Sequence, residues 1–106
     1  MATSTVGLTE FGVNVEAKRL VELCERYGVA ELLVFGSVAR GVAHKDSDFD
    51  LLYVLKPGHH LGFSINRLED ELSELFKRRV DLVGKASLHP VIRDVVLREA
   101  KPLYAA

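Results

Sequence analysis

The chain has 106 residues, of which 48% are hydrophobic and 27% are charged, and its formal net charge is −1. This length predicts one small domain, and the near-neutral charge argues against a general nucleic-acid binder, which needs clustered Lys and Arg. The single cysteine excludes an internal disulfide and, with no visible leader peptide or membrane-spanning apolar run, favours a cytoplasmic protein that binds neither DNA nor a membrane.

The first predicted element is a helix that follows a loose N-terminal segment. Residues 1–12 include many small and polar side chains and are expected to form a flexible arm ahead of a single domain over residues 13–106. Asn14 can cap a helix that runs to about Tyr27, because apolar side chains recur there at helical spacing. Cys24 lies on this apolar stripe, so we expect it in the core.

Two strands and a short connection are predicted next. The apolar run Glu31–Phe35 ends at a glycine and predicts a buried strand. The segment Val38–Gly41 is long enough for only one helical turn, and Val42–Asp46 is a polar loop. The run Asp48–Leu55 predicts a second strand, because Lys56-Pro57-Gly58 ends it with turn residues.

The second half of the chain predicts a helix, a strand and a final helix. Phe63–Lys77 carries its apolar side chains on one stripe, and Arg79–Val83 is a short strand. Ser87 or His89 opens the last helix, with Pro90 in its first turn. The order α-β-β-α-β-α predicts an α/β or α+β fold, a small mixed sheet flanked by about four helices. The stripe that the last helix is expected to bury includes Ile92, Val95 and Val96.

Paired carboxylates on the second strand are the first sign of function. Alternate residues of a strand face the same side, so Asp48 and Asp50 project together while Phe49 points into the core. Asp81 lies in the otherwise apolar third strand and joins them if the two strands are neighbours. Two such charges about 5 Å apart repel by about 3 kcal/mol at an effective dielectric constant of about 20, so the cluster needs protons or cations. Mg²⁺ with phosphate oxygens meets that need.

A glycine and a serine stand ten residues before this acidic pair. Gly36 follows the first strand and allows the backbone to come close to a ligand, and the Ser37 hydroxyl can donate to a phosphate oxygen. Arg40 can add positive charge near the phosphates. The segment is not a Walker A loop, because Val42 and Ala43 occupy the positions of its Lys and Ser or Thr.

Each of these residues also has a plainer interpretation. Asp81 can form an ion pair with Arg78 or Arg79 at a strand edge. The segment Asp48–Asp50 can present its carboxylates to solvent alone, and Arg40 can stabilise its own loop without contacting a ligand. The residues by themselves leave these alternatives open.

The two motifs together carry a resemblance to a known family. Gly36-Ser37-Val38-Ala39-Arg40-Gly41 followed by Ser47-Asp48-Phe49-Asp50-Leu51 resembles the minimal nucleotidyltransferase (MNT) family of the polymerase-β-like superfamily. The resemblance covers about residues 14–104. It implies a polymerase-β-like nucleotidyltransferase core that uses Mg²⁺, with two ions expected, and ATP as the nucleotide donor.

The resemblance also implies roles for individual residues. Asp48 and Asp50 would hold the metal ions. Asp81 would ligate one metal ion and help to activate the attacking hydroxyl. Gly36 and Ser37 would hold the β- and γ-phosphates of the nucleotide. All of these family motif residues are present in this sequence.

The family further implies a partner. Stand-alone members of the family pair with a small helical HEPN toxin and act as its antitoxin, by transferring AMP from ATP to a tyrosine of the toxin. Two other functions stay open at this point. One is a non-catalytic antitoxin that occludes its partner. The other is a nucleotidyltransferase for a small molecule, such as an antibiotic, that needs a second subunit because no helical substrate domain is expected here.

Overall fold

The computed structural model describes residues 5–6, 17–39 and 48–106, so the predicted cap Asn14 and the loop Val42–Asp46 lie outside the described residues. The strands of the described part are Thr5–Val6 (β1), Val29–Phe35 (β2), Phe49–Leu55 (β3), Val80–Gly84 (β4) and Lys101–Ala105 (β5). Its helices are Ala17–Tyr27 (α1), Gly36–Ala39 (α2), Ser64–Phe76 (α3) and Pro90–Glu99 (α4), with a 3₁₀ turn at Lys85–Ser87. No helix among these is long and apolar enough to span a membrane.

The strands form one mixed sheet, in the order β1-β5-β2-β3-β4. Strand β2 pairs antiparallel with both β3 and β5, whereas β3 and β4 are parallel. The prediction of a small mixed sheet is therefore confirmed, and so is the condition that the second and third predicted strands are neighbours. Thr5–Val6, within the predicted N-terminal arm, pairs with β5 at the edge of the sheet.

The main core lies between one face of the sheet and the helices α1 and α3. The apolar stripe of α1 is buried there, and Cys24 is fully enclosed, as predicted. Burial raises the pKa of the Cys24 thiol to about 12, with a smaller contribution from the Glu25 carboxylate, so the thiol stays protonated at neutral pH. Helix α3 contributes Leu68, Leu72 and Phe76 to the same core.

Strand β4 is the edge strand at one end of the sheet, and α3 satisfies two of its outward N–H groups. The Ser73 hydroxyl accepts a hydrogen bond from the Val80 N–H at 2.9 Å and donates one to the Glu69 carbonyl oxygen at 2.8 Å. The Glu69 carboxylate accepts from the Leu82 N–H at 2.8 Å. Edge strands expose such N–H groups to unwanted pairing, so these side chains both cap the edge and fix the position of β4.

The C-terminal part of the chain corrects two expectations. The predicted buried stripe of the last helix is wrong at two positions, because Ile92 and Val95 are 49% and 51% exposed. Val96, the third residue of that stripe, is partly buried, and so is the neighbouring Leu97. A strand that was not predicted, β5, follows the helix and buries Leu103 and Tyr104 in the main core.

We expect the Ser73→Ala substitution to lower the free energy of unfolding by about 1–2 kcal/mol, because it leaves the Val80 N–H without its acceptor. Urea unfolding measures this difference. Ser64→Ala is the matched control, since Ser64 is exposed at the start of α3, and its effect should stay within about 0.5 kcal/mol. Equal losses in the two variants would contradict the assigned role of Ser73.

Candidate active site

The start of β3 is held in the core by one aromatic ring. Phe49 is fully buried and packs edge-to-face on Phe76, with ring centroids 5.3 Å apart and planes at 70°. The guanidinium carbon of Arg78 lies 5.3 Å from the centre of the Phe49 ring, within cation–π range. Because side chains alternate along an extended chain, this packing directs Asp48 and Asp50 away from the core. Asp48 is exposed and Asp50 is half-buried.

The parallel pairing of β3 with β4 brings the third carboxylate to the same place. Asp81 is the register partner of Asp50, and Val80 is the partner of Phe49. Neighbouring strands lie about 4.8 Å apart and residues in register share a face, so Asp50 and Asp81 are on one side of the sheet. Asp81 is exposed, and within residues 17–39 and 48–106 no ion pair joins it to an arginine. The predicted adjacency of the two strands is confirmed, and it places Asp81 beside Asp50.

Gly36 connects the two sequence motifs in space. It follows β2 directly, and the last residue of that strand, Phe35, is the register partner of Asp50. Gly36 has a φ of +74°, a conformation that residues with a side chain adopt only under strain. A Cβ atom at this position would lie 2.5 Å from Oδ2 of Asp50, so the space that any other residue would fill belongs to the carboxylate.

The structure thus gathers four of the six predicted site residues at one end of the sheet, where β2 ends and β3 and β4 begin: Gly36, Asp48, Asp50 and Asp81. The side chain of Ser37 and the whole of Arg40 lie outside the described residues. The predicted single helical turn after β2 is confirmed as α2, which begins at Gly36.

We call this end of the sheet, with Asp48, Asp50 and Asp81, the acidic edge. Its carboxylate groups suit Mg²⁺. Carboxylate oxygens are its preferred protein ligands, and one or two of them suffice, because phosphate oxygens and water complete its octahedron. Within the described residues, no three His, Cys, Asp or Glu side chains form a ready-made metal cluster. The arrangement fits a divalent ion whose ligands are Asp48, Asp50 and a phosphate better than an ion that is bound by protein alone.

Comparison with known proteins decides the family. The sequence model of the nucleotidyltransferase domain matches residues 17–103. The chain belongs to this family. The resemblance to minimal nucleotidyltransferases is thereby confirmed, together with the polymerase-β-like fold and the assignment as a nucleotidyltransferase enzyme.

This nucleotidyltransferase has a curated relative in the archaeon Thermococcus cleftensis. The protein adenylyltransferase MntA of that organism is 47% identical over 78 residues, which are 74% of this chain and 78% of the relative. A solved structure assigned as a minimal nucleotidyltransferase is 45% identical, has a TM-score of 0.67 and aligns over 81% of this chain and 87% of its own.

Two toxin–antitoxin complexes share the fold of this nucleotidyltransferase at lower identity. One contains AMP-PNP; it has a TM-score of 0.67 at 22% identity and covers 84% of this chain and 73% of its own. The other is a tri-AMPylated Shewanella oneidensis HEPN toxin in complex with an MNT antitoxin. It has a TM-score of 0.59 at 19% identity and covers 84% of this chain and 69% of its own. At these identities the likeness concerns the fold.

We expect Gly36→Ala to weaken the binding of Mn²⁺, used as a probe for Mg²⁺, by about tenfold or more, because the new Cβ displaces the Asp50 carboxylate. Electron paramagnetic resonance measures the free Mn²⁺. Gly58→Ala is the matched control, since Gly58 has a φ of +81° but nothing within 4 Å of an added Cβ.

Both glycine substitutions introduce similar backbone strain, about 1–2 kcal/mol. Urea unfolding should therefore show comparable losses of stability, while only Gly36→Ala loses affinity for Mn²⁺. If both variants keep the affinity of the wild type, the contact between Gly36 and Asp50 does not shape the site.

Proposed function

We propose that this protein is a Mg²⁺-dependent adenylyltransferase that transfers AMP from ATP to a tyrosine hydroxyl of a HEPN toxin, and that it acts as the antitoxin. The observation that carries the proposal is the contact of Gly36 with the Asp50 carboxylate, at the sheet edge that also holds Asp81. The absence of a side chain at residue 36 lets this carboxylate, a ligand for a divalent ion, lie against the backbone where β2 ends. The identity with the adenylyltransferase MntA supports AMP as the transferred group.

The three acidic residues are proposed to have different roles in the reaction. Asp48 and Asp50 are the residues that would hold two Mg²⁺ ions, with Asp81 as a further ligand. When bound, Mg²⁺ would neutralise the phosphate charge and stabilise the attacking and leaving oxygens. Asp81 also accepts the proton of the acceptor hydroxyl as its oxygen attacks the α-phosphorus of ATP, and pyrophosphate leaves.

The glycine turn binds the part of ATP that leaves. The backbone at Gly36 and the hydroxyl of Ser37 are proposed to hold the β- and γ-phosphates, since no side chain at residue 36 blocks their approach. Arg40 is proposed to add positive charge to the same phosphates. Transfer then needs only an acceptor hydroxyl in line with the bond that breaks.

The partner is proposed from the relatives. A structure with this fold contains an MNT antitoxin bound to a HEPN toxin that carries three AMP groups. A protein acceptor of this kind agrees with the name of the Thermococcus cleftensis relative, a protein adenylyltransferase. A cytoplasmic location belongs to the same proposal, because ATP is available there and Cys24 is a free thiol.

Occlusion without catalysis is the second candidate function, and one surface favours it. Val91, Ile92 and Val95 of α4 are 78%, 49% and 51% exposed and lie on one side of the helix. Exposed apolar side chains grouped in this way are typical of a protein interface. The experiment for the proposed function has to separate the two candidates.

We expect the double substitution Asp48→Asn and Asp50→Asn to lower AMP transfer about a hundredfold or more, the scale seen when stabilisation of transition-state charge is lost. The measurement is label transfer from α-labelled ATP to a purified HEPN toxin. Asp70→Asn with Glu74→Gln is the matched control, because both residues are exposed on α3 away from the site.

The same variants are then tested for neutralisation of the toxin in cells. Under the proposal, the Asp48 and Asp50 double variant no longer neutralises the toxin, whereas the control variant does. If the double variant still neutralises it without transferring label, occlusion is the function. Label transfer that survives the double substitution would refute the assignment of the site.

A further inference from the structure

A cavity lies at the opposite end of the two parallel strands from the acidic site. Its volume is about 420 Å³, in the range of pockets for small ligands. It opens where β3 and β4 end, and ligands of α/β proteins commonly bind beyond the carboxyl ends of parallel strands. We call it the basic pocket, and it is lined by Tyr53, Val54, Leu55, Lys56, His59, Gly84, Lys85, Ala86, Ser87 and Arg93.

The charges around the basic pocket all have one sign. Lys56, Lys85 and Arg93 line it, and among the residues that the structure describes no carboxylate does. Within the described residues none of the three cations takes part in a salt bridge. The nearest acid in strand register is Glu31, opposite Val54 on β2, and it is not part of the lining. Three positive side chains in the lining of one cavity, with no carboxylate among the described lining residues, favour an anionic ligand.

A groove of similar size shows that this is not a general property of the surface. The groove between α1 and α3 has a volume of about 400 Å³ and is also lined by charged residues. There the basic side chains are balanced by acidic ones, and Arg26 forms a salt bridge with Glu71 at 3.3 Å. Of these two cavities, the basic pocket is the one whose lining carries an excess of positive charge.

Hydrogen bonds hold the backbone at Lys56 and Arg93, from which two of the cations of the basic pocket project. The Lys56 N–H donates to the Gly28 carbonyl oxygen at 2.8 Å, and the Arg93 N–H donates to the His89 carbonyl oxygen at 3.0 Å. Lys85 begins the 3₁₀ turn that directly follows β4. Lys56 and Lys85 are half-buried, so water screens their charges less than it screens those of exposed lysines.

We propose that the basic pocket binds a phosphate group, carried either by free pyrophosphate or by a nucleotide, at a site separate from the acidic edge. Ammonium and guanidinium groups make charge-assisted hydrogen bonds with phosphate oxygens, and the Tyr53 and Ser87 hydroxyls add neutral donors. Lys56 lies six positions after Asp50, directly after the end of the extended strand β3, so the two residues are about 20 Å apart. The pocket therefore needs neither the acidic residues nor Mg²⁺, and this inference goes beyond the proposed function.

The test is a titration followed by ¹H–¹⁵N NMR of the full chain, with EDTA present to remove divalent ions. Pyrophosphate and AMP are added separately, which distinguishes the two sources of the phosphate. The proposal expects at least one of them to shift the amide signals of Lys56 and of Gly84–Ser87 at millimolar concentration. A response to AMP alone assigns the pocket to a nucleotide, and a response to pyrophosphate alone assigns it to the free anion.

Paired variants test whether the anion binds through the cations of the pocket. Lys56→Gln with Lys85→Gln should weaken the binding about tenfold or more, because two of the three cations are lost. Lys18→Gln with Lys101→Gln changes the net charge equally at exposed positions outside the pocket and should leave the affinity unchanged. Arg93→Gln, at an exposed position, provides a second test if the double variant does not fold.

Three results overturn the proposal. The first is that neither anion shifts the pocket amides. The second is that the shifts fall only on Gly36 and Phe49–Asp50, at the acidic edge. The third is that the control variant loses as much affinity as the pocket variant, which would show attraction to net charge alone.

Discussion

The burial of Phe49 is the interaction on which the arrangement of the site depends. Its ring occupies the core between Asp48 and Asp50, against Phe76 and beneath Arg78. Because this ring is buried, the alternation of side chains along the strand points both carboxylates away from the core. The fold thus uses apolar burial, its strongest source of stability, to keep like charges side by side. The acidic edge is a consequence of packing.

The remaining parts of the site follow from the strands beside β3. Parallel pairing with β4 aligns Asp81 with Asp50, and the side chains of Ser73 and Glu69 hold that edge strand in position. Antiparallel pairing with β2 brings Gly36 against the Asp50 carboxylate. Three strand ends therefore meet at one point. An ion and a phosphate suit it because it combines negative ligands with a backbone free of side chains.

The sequence alone predicted what depends on local pattern. Strand alternation predicted the direction of Asp48 and Asp50, and the spacing of two motifs predicted the family. The strand β5 was missed because Pro102 interrupts its pattern and only its pairing with β1 and β2 identifies it as a strand. Two residues of the predicted buried stripe of α4, Ile92 and Val95, are exposed, since apolar spacing does not show how far a helix face is covered by a partner.

The residues that the sequence did not reveal share one property. Ser73 and Glu69 act on backbone groups of another element, and their spacing on α3 carries no signal of that contact. The basic pocket draws Lys56, Lys85 and Arg93 from three segments, so no motif joins them. Tertiary contacts of this kind are visible only once the sheet order is known.

The most direct test of the central claim is a crystal structure of the chain with Mn²⁺ and AMP-PNP, read from the anomalous signal of the metal. The account predicts manganese bound by the carboxylates of Asp48 and Asp50, with the terminal phosphates of the nucleotide against the backbone of Gly36. A nucleotide bound with its phosphates away from Gly36, or manganese with no ligand from either aspartate, would contradict it.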